Sequence, residues 1–389
     1  MTLAHDFNTA LTMISEDTDS IFNEFKGIDK ALQDFIIINK MKRLPFFIET
    51  TTPNNSFYLA SYEGVEPFDL QYSLDGVHWT AYPSGSGERI YLNHAGDRAY
   101  LKGNNTGFGY EDGGYYYIYA SDPVIVGGNL ISLVDETMTQ KTLRPYAFAH
   151  FMSETSLKDV SQLVIQAVGP HAYYSMFNYN LNITKPPRII ATEVDEYCYE
   201  AMFAGCENLT EAPDLPATTL ATACYRWMFQ YCYKLTTPPK LPATTLADSC
   251  YYGMLEGCGL IEPPELPATT LAENCYYQML EGCGSLTKAP YLPATTLAAS
   301  CYGYMVGSTA IKTITLPATT LASECYADLF DECPALEEVI TYQTSWASNS
   351  TSNWMSRVPL SGTFRCPAGL DTTTRDGSHV PSTWLVVNI

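Results

Sequence analysis

Three patterns follow one another along the chain and predict a multidomain α+β protein. They are heptad spacing through the first 35 residues, short Tyr-rich alternating runs over about the next ninety, and one phrase, LPATTLA, written five times. In order, they predict an N-terminal coiled coil (1–43), a small β-sandwich (44–135), a leucine-rich-repeat solenoid of about eight units (136–340) and a C-terminal cap (341–389).

The coiled coil rests on steps of three and four. Leu11, Thr18, Phe25 and Leu32 fall at position a, Ile14, Ile21, Ile28 and Phe35 at position d, with Phe7 one heptad step before Ile14. Ile at d beside Leu or Phe at a disfavours a parallel dimer and predicts a homotrimer, with Thr18 as the polar register residue. The alternative is an amphipathic helix packed on the chain's own core, which Gly27 favours by weakening a long helix.

From Leu44 to Ser132 the helical pattern stops. Tyr-, Phe- and Thr-rich runs punctuated by Gly, Asn and Asp read as antiparallel strands. In LQYSLDGVHWTAY the alternating Leu70, Tyr72 and Val77, Trp79, Ala81 flank Asp75-Gly76, which suits a tight hairpin turn.

The repeated phrase begins at Leu215, Leu241, Leu266, Leu292 and Leu316 and belongs to a longer unit in which Cys-Tyr recurs at Cys198, Cys224, Cys250, Cys275, Cys301 and Cys325. Steps of 26, 26, 25, 26 and 24 residues with leucines in fixed places are a solenoid signature, one strand and one helical or irregular turn per unit. No single unit buries its apolar face, so leucines such as Leu209, Leu215 and Leu220 must point inward and stack. Pro216 and its equivalents end a strand, and Thr218 or Thr219 caps the next turn. Second cysteines follow eight residues later, as in Cys224 with Cys232. No C-x-x-C occurs and Ala stands for Cys at Ala147 and Ala172, so the cysteines read as small core residues rather than metal ligands or disulfides.

A net charge of -21 repels nucleic acid and anionic membranes, and no stretch is long and apolar enough to span a bilayer. The start lacks the basic and apolar regions of an export signal, so a protein made in the cytoplasm is expected. His5, His78, His94, His150, His171 and His379 are scattered, with no H-E-x-x-H, nucleophile elbow or phosphate loop. A Cys366/His379 pairing has no support, and no enzyme, cofactor or metal is expected.

LQYSLDGVHWTAY, DRAYLKGNN, GNLISLVD, the LPATTLA/CYxxMFxGC units, GTFRCPAGL and STWLVVNI together resemble leucine-rich-repeat proteins of Bacteroides phages and prophages, relatives of BspA-like surface proteins. The likeness runs from about Leu44 to the C-terminus. It implies a non-enzymatic virion fibre, on head or tail, bound to other virion proteins through the N-terminus and exposed on the particle, where it binds a host-surface glycan or protein. The alternative is a bacterial cell-surface adhesin or interaction scaffold.

Binding then falls to positions that vary on a constant scaffold. Just after each Cys-Tyr stand Trp227, Tyr252, Tyr277 and Tyr304, expected as an exposed aromatic strip for stacking on a neutral sugar. A second row, Asp214, Lys240, Glu265 and Tyr291, precedes the leucine of LPATTLA and is expected on the strand surface.

Overall fold

The computed structural model describes residues 30–61, 69–83, 88–105, 116–153, 155–347 and 349–389. They are almost all β: helix accounts for 4% of the described residues, and a β-solenoid of about nine turns makes up most of them.

This corrects the α+β assignment and its coiled coil. Phe7, Leu11, Ile14, Thr18, Ile21, Phe25 and Ile28 lie outside the described residues. Leu32 and Phe35 belong to α1 (Lys30–Met41), a helix of 12 residues. It packs on β8 (Val124–Asn129) and β9 (Leu157–Ile165) of its own chain. Asn129 holds its end, donating from Nδ2 to the Lys42 carbonyl at 2.9 Å. The helix thus lies against the chain's own sheet, with Leu32 half-buried and the second seam residue, Phe35, 43% exposed.

Eight strands build the sandwich: β1 (Phe46–Thr50), β2 (Asn55–Ser61), β3 (Leu70–Ser73), β4 (Thr80–Ala81), β5 (Ile90–Leu92), β6 (Arg98–Gly103), β7 (Tyr116–Ala120) and β8. Alternation places Phe46, Ile48, Leu70 and Leu101 of one sheet against Phe57, Leu59, Ile90 and Ile118 of the other, all buried. The β3–β4 hairpin pairs Tyr72 with Thr80, so its loop is wider than a two-residue turn. Asp75 organises it by accepting the Val77 and His78 amides at 2.8 Å each.

The sandwich runs into the coil without a break. β9 pairs in parallel with β8, and β10 (Arg188–Ile189) with β9, giving one sheet ordered β10-β9-β8-β1-β6-β3-β4. At the far end β11 (Thr313–Leu316), β12 (Glu338–Thr341), β13 (Thr363–Cys366) and β14 (Leu385–Asn388) form a second parallel ladder. Between them the strand face carries no ladder, for a reason written in the sequence. One inward column reads Ile189, Pro213, Pro239, Pro264, Pro290, Ile314, Val339, Phe364. Proline has no N–H to donate, and the ladder is missing from the four turns that carry it.

The opposite face is a spiral unlike an α-helix. In the unit from Ala223 to Cys232, the amides of Tyr225, Trp227, Phe229 and Tyr231 donate to the next turn at 2.7–3.1 Å, while those of Arg226, Met228 and Gln230 close local turns three residues back. Every fourth residue is left-handed: Ala223, Trp227 and Tyr231 have φ of 49°, 54° and 60°. Side chains therefore run two in and two out. Cys224, Tyr225, Met228, Phe229 and Cys232 are buried, whereas Arg226, Trp227, Gln230 and Tyr231 look outward.

Inward columns stack into ladders. Tyr173, Tyr199, Tyr225, Tyr251, Tyr276, Tyr302 and Tyr326 lie with centroids 5.4–6.1 Å apart and planes within 11° of parallel. Trp354 closes the column 6.0 Å beyond Tyr326, and its indole N–H reaches the His379 carbonyl at 2.8 Å. The second cysteine column has a use that size alone does not explain. Cys206, Cys232, Cys258, Cys283 and Cys333 each donate Sγ–H to a carbonyl of the preceding turn at 3.1–3.2 Å. Asn180, in the same column, does so through Nδ2 at 2.9 Å, and Thr309 donates to Val306 at 2.7 Å. The column is a line of small buried donors.

Candidate functional site

The outward half of the spiral presents the variable residues on a rigid base. Trp227 and Tyr304 occupy the left-handed position of their turns, while Tyr252 and Tyr277 sit one residue earlier. The four are therefore two neighbouring columns, and glycines let them interleave. A Cβ on Gly253 would fall 2.4 Å from the Trp227 ring, and one on Gly303 would fall 2.7 Å from Tyr277, so each ring lies flat where the next turn has no side chain.

The rings stand half-buried rather than freely exposed, and they touch. Trp227 meets Tyr252 edge to face at 5.6 Å, Tyr252 stacks on Tyr277 at 4.8 Å and 25°, and Tyr277 meets Tyr304 at 5.7 Å. The line extends toward the N-terminus through residues the spacing argument missed. Tyr146 stacks on His171 at 4.4 Å and His171 on Tyr197 at 4.5 Å. The Arg226 guanidinium then bridges Tyr197 and Trp227, 5.6 and 4.3 Å from their ring centres. One ribbon of seven rings and a guanidinium thus crosses the turns from Tyr146 to Tyr304. Its early members were legible as the residues just before Ala147, Ala172 and Cys198, but the shift of column at Arg226 hid the continuity.

Charge is unevenly spread along this ribbon. Arg226 pairs with Glu200 at 2.5 Å, a carboxylate only 3% exposed whose pKa burial pushes up against the pull of the arginine. Further on the neighbours are acidic. Glu256 accepts from Gln230 at 2.8 Å and from the Tyr231 hydroxyl at 2.9 Å, and Glu281 accepts from Gln278 at 2.7 Å. Burial raises the Glu281 pKa, and Glu256, Asp331 and Glu332 push it the same way. Tyr277 is lifted to about 12 by burial first and by its Tyr and carboxylate neighbours next, and burial also raises Tyr252 and Tyr304, so the phenols stay protonated. At the far end Arg357 holds Asp331 and Glu332 at 2.6 Å each.

The second row is separate. Asp214, Lys240, Glu265 and Tyr291 are exposed on the strand face, Tyr291 at 80%, and no ion pair joins the three charged ones. They sit beside the prolines of the unladdered turns. Tyr291 borders an open groove with Lys288, Lys312 and Thr315, where β11 begins.

The geometry can bind and orient, through ring edges, phenolic oxygens and carboxylates on a stiff frame. Among the described residues, no three His, Cys, Asp or Glu side chains gather as metal ligands, and no helix is long and apolar enough to cross a membrane. No protein-family model matches the chain, and no curated protein matches it.

Proposed function

We propose that the chain is a non-enzymatic binding protein of a virion fibre, presenting the outer spiral face of its solenoid to a host-surface glycan or protein. One observation carries the reading: a continuous aromatic ribbon across successive turns, held by a scaffold whose stability comes from other columns. Such a face is extended, regular and rich in Tyr and Trp, the composition that dominates recognition surfaces. The fibre context comes from the resemblance of the repeats and the closing segments, and virion attachment is part of the proposal.

Adsorption of the intact protein to host-cell surface preparations tests it. Replacing Trp227, Tyr252 and Tyr304 together by Ala is expected to abolish adsorption while the protein stays folded. Because the rings are half-buried and interlocked, unfolding should move by about 1 kcal/mol per ring. Adsorption that persists in a folded triple variant removes the ribbon as the binding face and passes the role to the row from Asp214 to Tyr291. Genes for secretion or polysaccharide utilisation flanking this one, in place of capsid, portal or tail genes, would contradict the virion assignment and favour a cell-surface adhesin.

A further inference from the structure

We propose that the C-terminal half of this face takes a basic peptide segment, its lysine or arginine cations seated among the carboxylates of Glu256, Glu281 and Asp328 and the phenols of Tyr252, Tyr277 and Tyr304. The inference rests on the spiral face being the binding face and names the chemistry of its partner.

The protein itself contains the precedent. One turn before Tyr252 the ribbon holds a cation of its own, the Arg226 guanidinium lying between Tyr197 and Trp227 and paired with Glu200. At the other end Arg357 neutralises Asp331 and Glu332. Between these two arginines the same ingredients recur without a cation: no Lys or Arg pairs with Glu256, Glu281 or Asp328 among the described residues. Glu256 and Glu281 are held near each other there, and Glu256 adds to the burial that raises the Glu281 pKa. A ligand cation relieves that repulsion and gains charge-assisted hydrogen bonds.

Ring geometry points the same way. Stacking a neutral sugar needs a free ring face, but Tyr252 and Tyr277 spend faces on each other at 4.8 Å, and Tyr277 lies down on Gly303. What they offer outward is rims and phenolic oxygens. Several nearby donors are already committed: Tyr231 and Gln230 to Glu256, and Gln278 to Glu281. A surface left rich in acceptors selects a donor-rich partner, which an ammonium or guanidinium supplies.

The test is calorimetric titration of the full chain with an end-blocked Lys-Gly-Lys-Gly-Lys peptide at physiological ionic strength. Glu256→Gln, Glu281→Gln and Asp328→Asn combined should weaken binding by about tenfold or more, and Glu211→Gln, Glu262→Gln and Glu337→Gln on the strand face should leave it within about twofold. Equal loss in both variants would mean diffuse attraction to a chain of net charge -21 and would overturn the site. Absence of peptide binding overturns it as well. If the aromatic triple variant loses adsorption while the peptide fails to compete, or a neutral oligosaccharide competes instead, the face stands as the binding surface and its basic partner falls. If neither the rings nor the carboxylates matter, both readings fall together.

Discussion

Tyr251 and Tyr252 are adjacent in the sequence, as are Tyr276 and Tyr277, yet each pair is divided between two structures. The first of each joins a buried ladder, nearly parallel to its neighbours 5.7–5.9 Å away. The second joins the outer ribbon, where its own ring contacts run from 25° to 87° and glycines make room. In the ladder every turn repeats the same residue, because stacked units share one core and a mismatch leaves a void. In the ribbon the residue changes from turn to turn, and contact survives by switching column. Constancy marks the side that holds the fold, and variation marks the side free to serve a ligand.

Four changes break or sharpen that contrast. The largest is Tyr251→Ala, which opens a cavity in the ladder and should cost about 3–5 kcal/mol, against about 1 kcal/mol for Tyr252→Ala, read by denaturant unfolding. Next is the donor column. Cys258→Val removes the second donor to the Phe229 carbonyl, which also accepts the Cys232 amide at 3.1 Å, and should cost about 1 kcal/mol, whereas Cys258→Ser keeps a donor and should cost less. If valine is the milder of the two, the column is packing alone. A smaller effect is expected at Ala201, left-handed at φ 51° where the equivalent residue two turns on is Gly253. Ala201→Gly should stabilise by up to about 1 kcal/mol, since glycine bears no Cβ penalty there.

The smallest is electrostatic. Glu281 has its pKa raised in the folded protein, so the native state holds that proton more tightly than the unfolded chain does. Its contribution to stability is full below the ordinary glutamate range and is lost as pH rises through the elevated value. Unfolding followed from pH 4 upward should show this decline, and Glu281→Gln should flatten it.

How much of this was legible beforehand differs by feature. The coil was, because a period near 25 residues with fixed leucines has few other physical meanings. The spiral was not recognised, although CYxxMLxGC already spells two inward and two outward residues; a period of four fits neither helix nor strand, and only the left-handed residues make it close. The missing ladder was equally present in the text as Pro213, Pro239, Pro264 and Pro290, which a reading of the other proline, Pro216, passed over. The heptads misled for a different reason. Apolar residues at steps of three and four describe any amphipathic helix, and α1 lies against β8 and β9 of its own chain. Of the proposed binding face, the four rings could be named from spacing, but their interlocking and the carboxylates beside them depend on which residues the next turn brings alongside.

The central claim, that the outer ribbon recognises the ligand while the inner columns keep the fold, is tested most directly by fluorine NMR of protein carrying 5-fluorotryptophan. Its five tryptophans are Trp79, Trp227, Trp346, Trp354 and Trp384, and Trp227 alone belongs to the ribbon. Titration with the lysine peptide should shift the Trp227 resonance, assigned through Trp227→Phe, and leave the other four in place. Movement of Trp79, or of the Trp346, Trp354 and Trp384 group at the C-terminal end, with Trp227 unmoved would contradict the account.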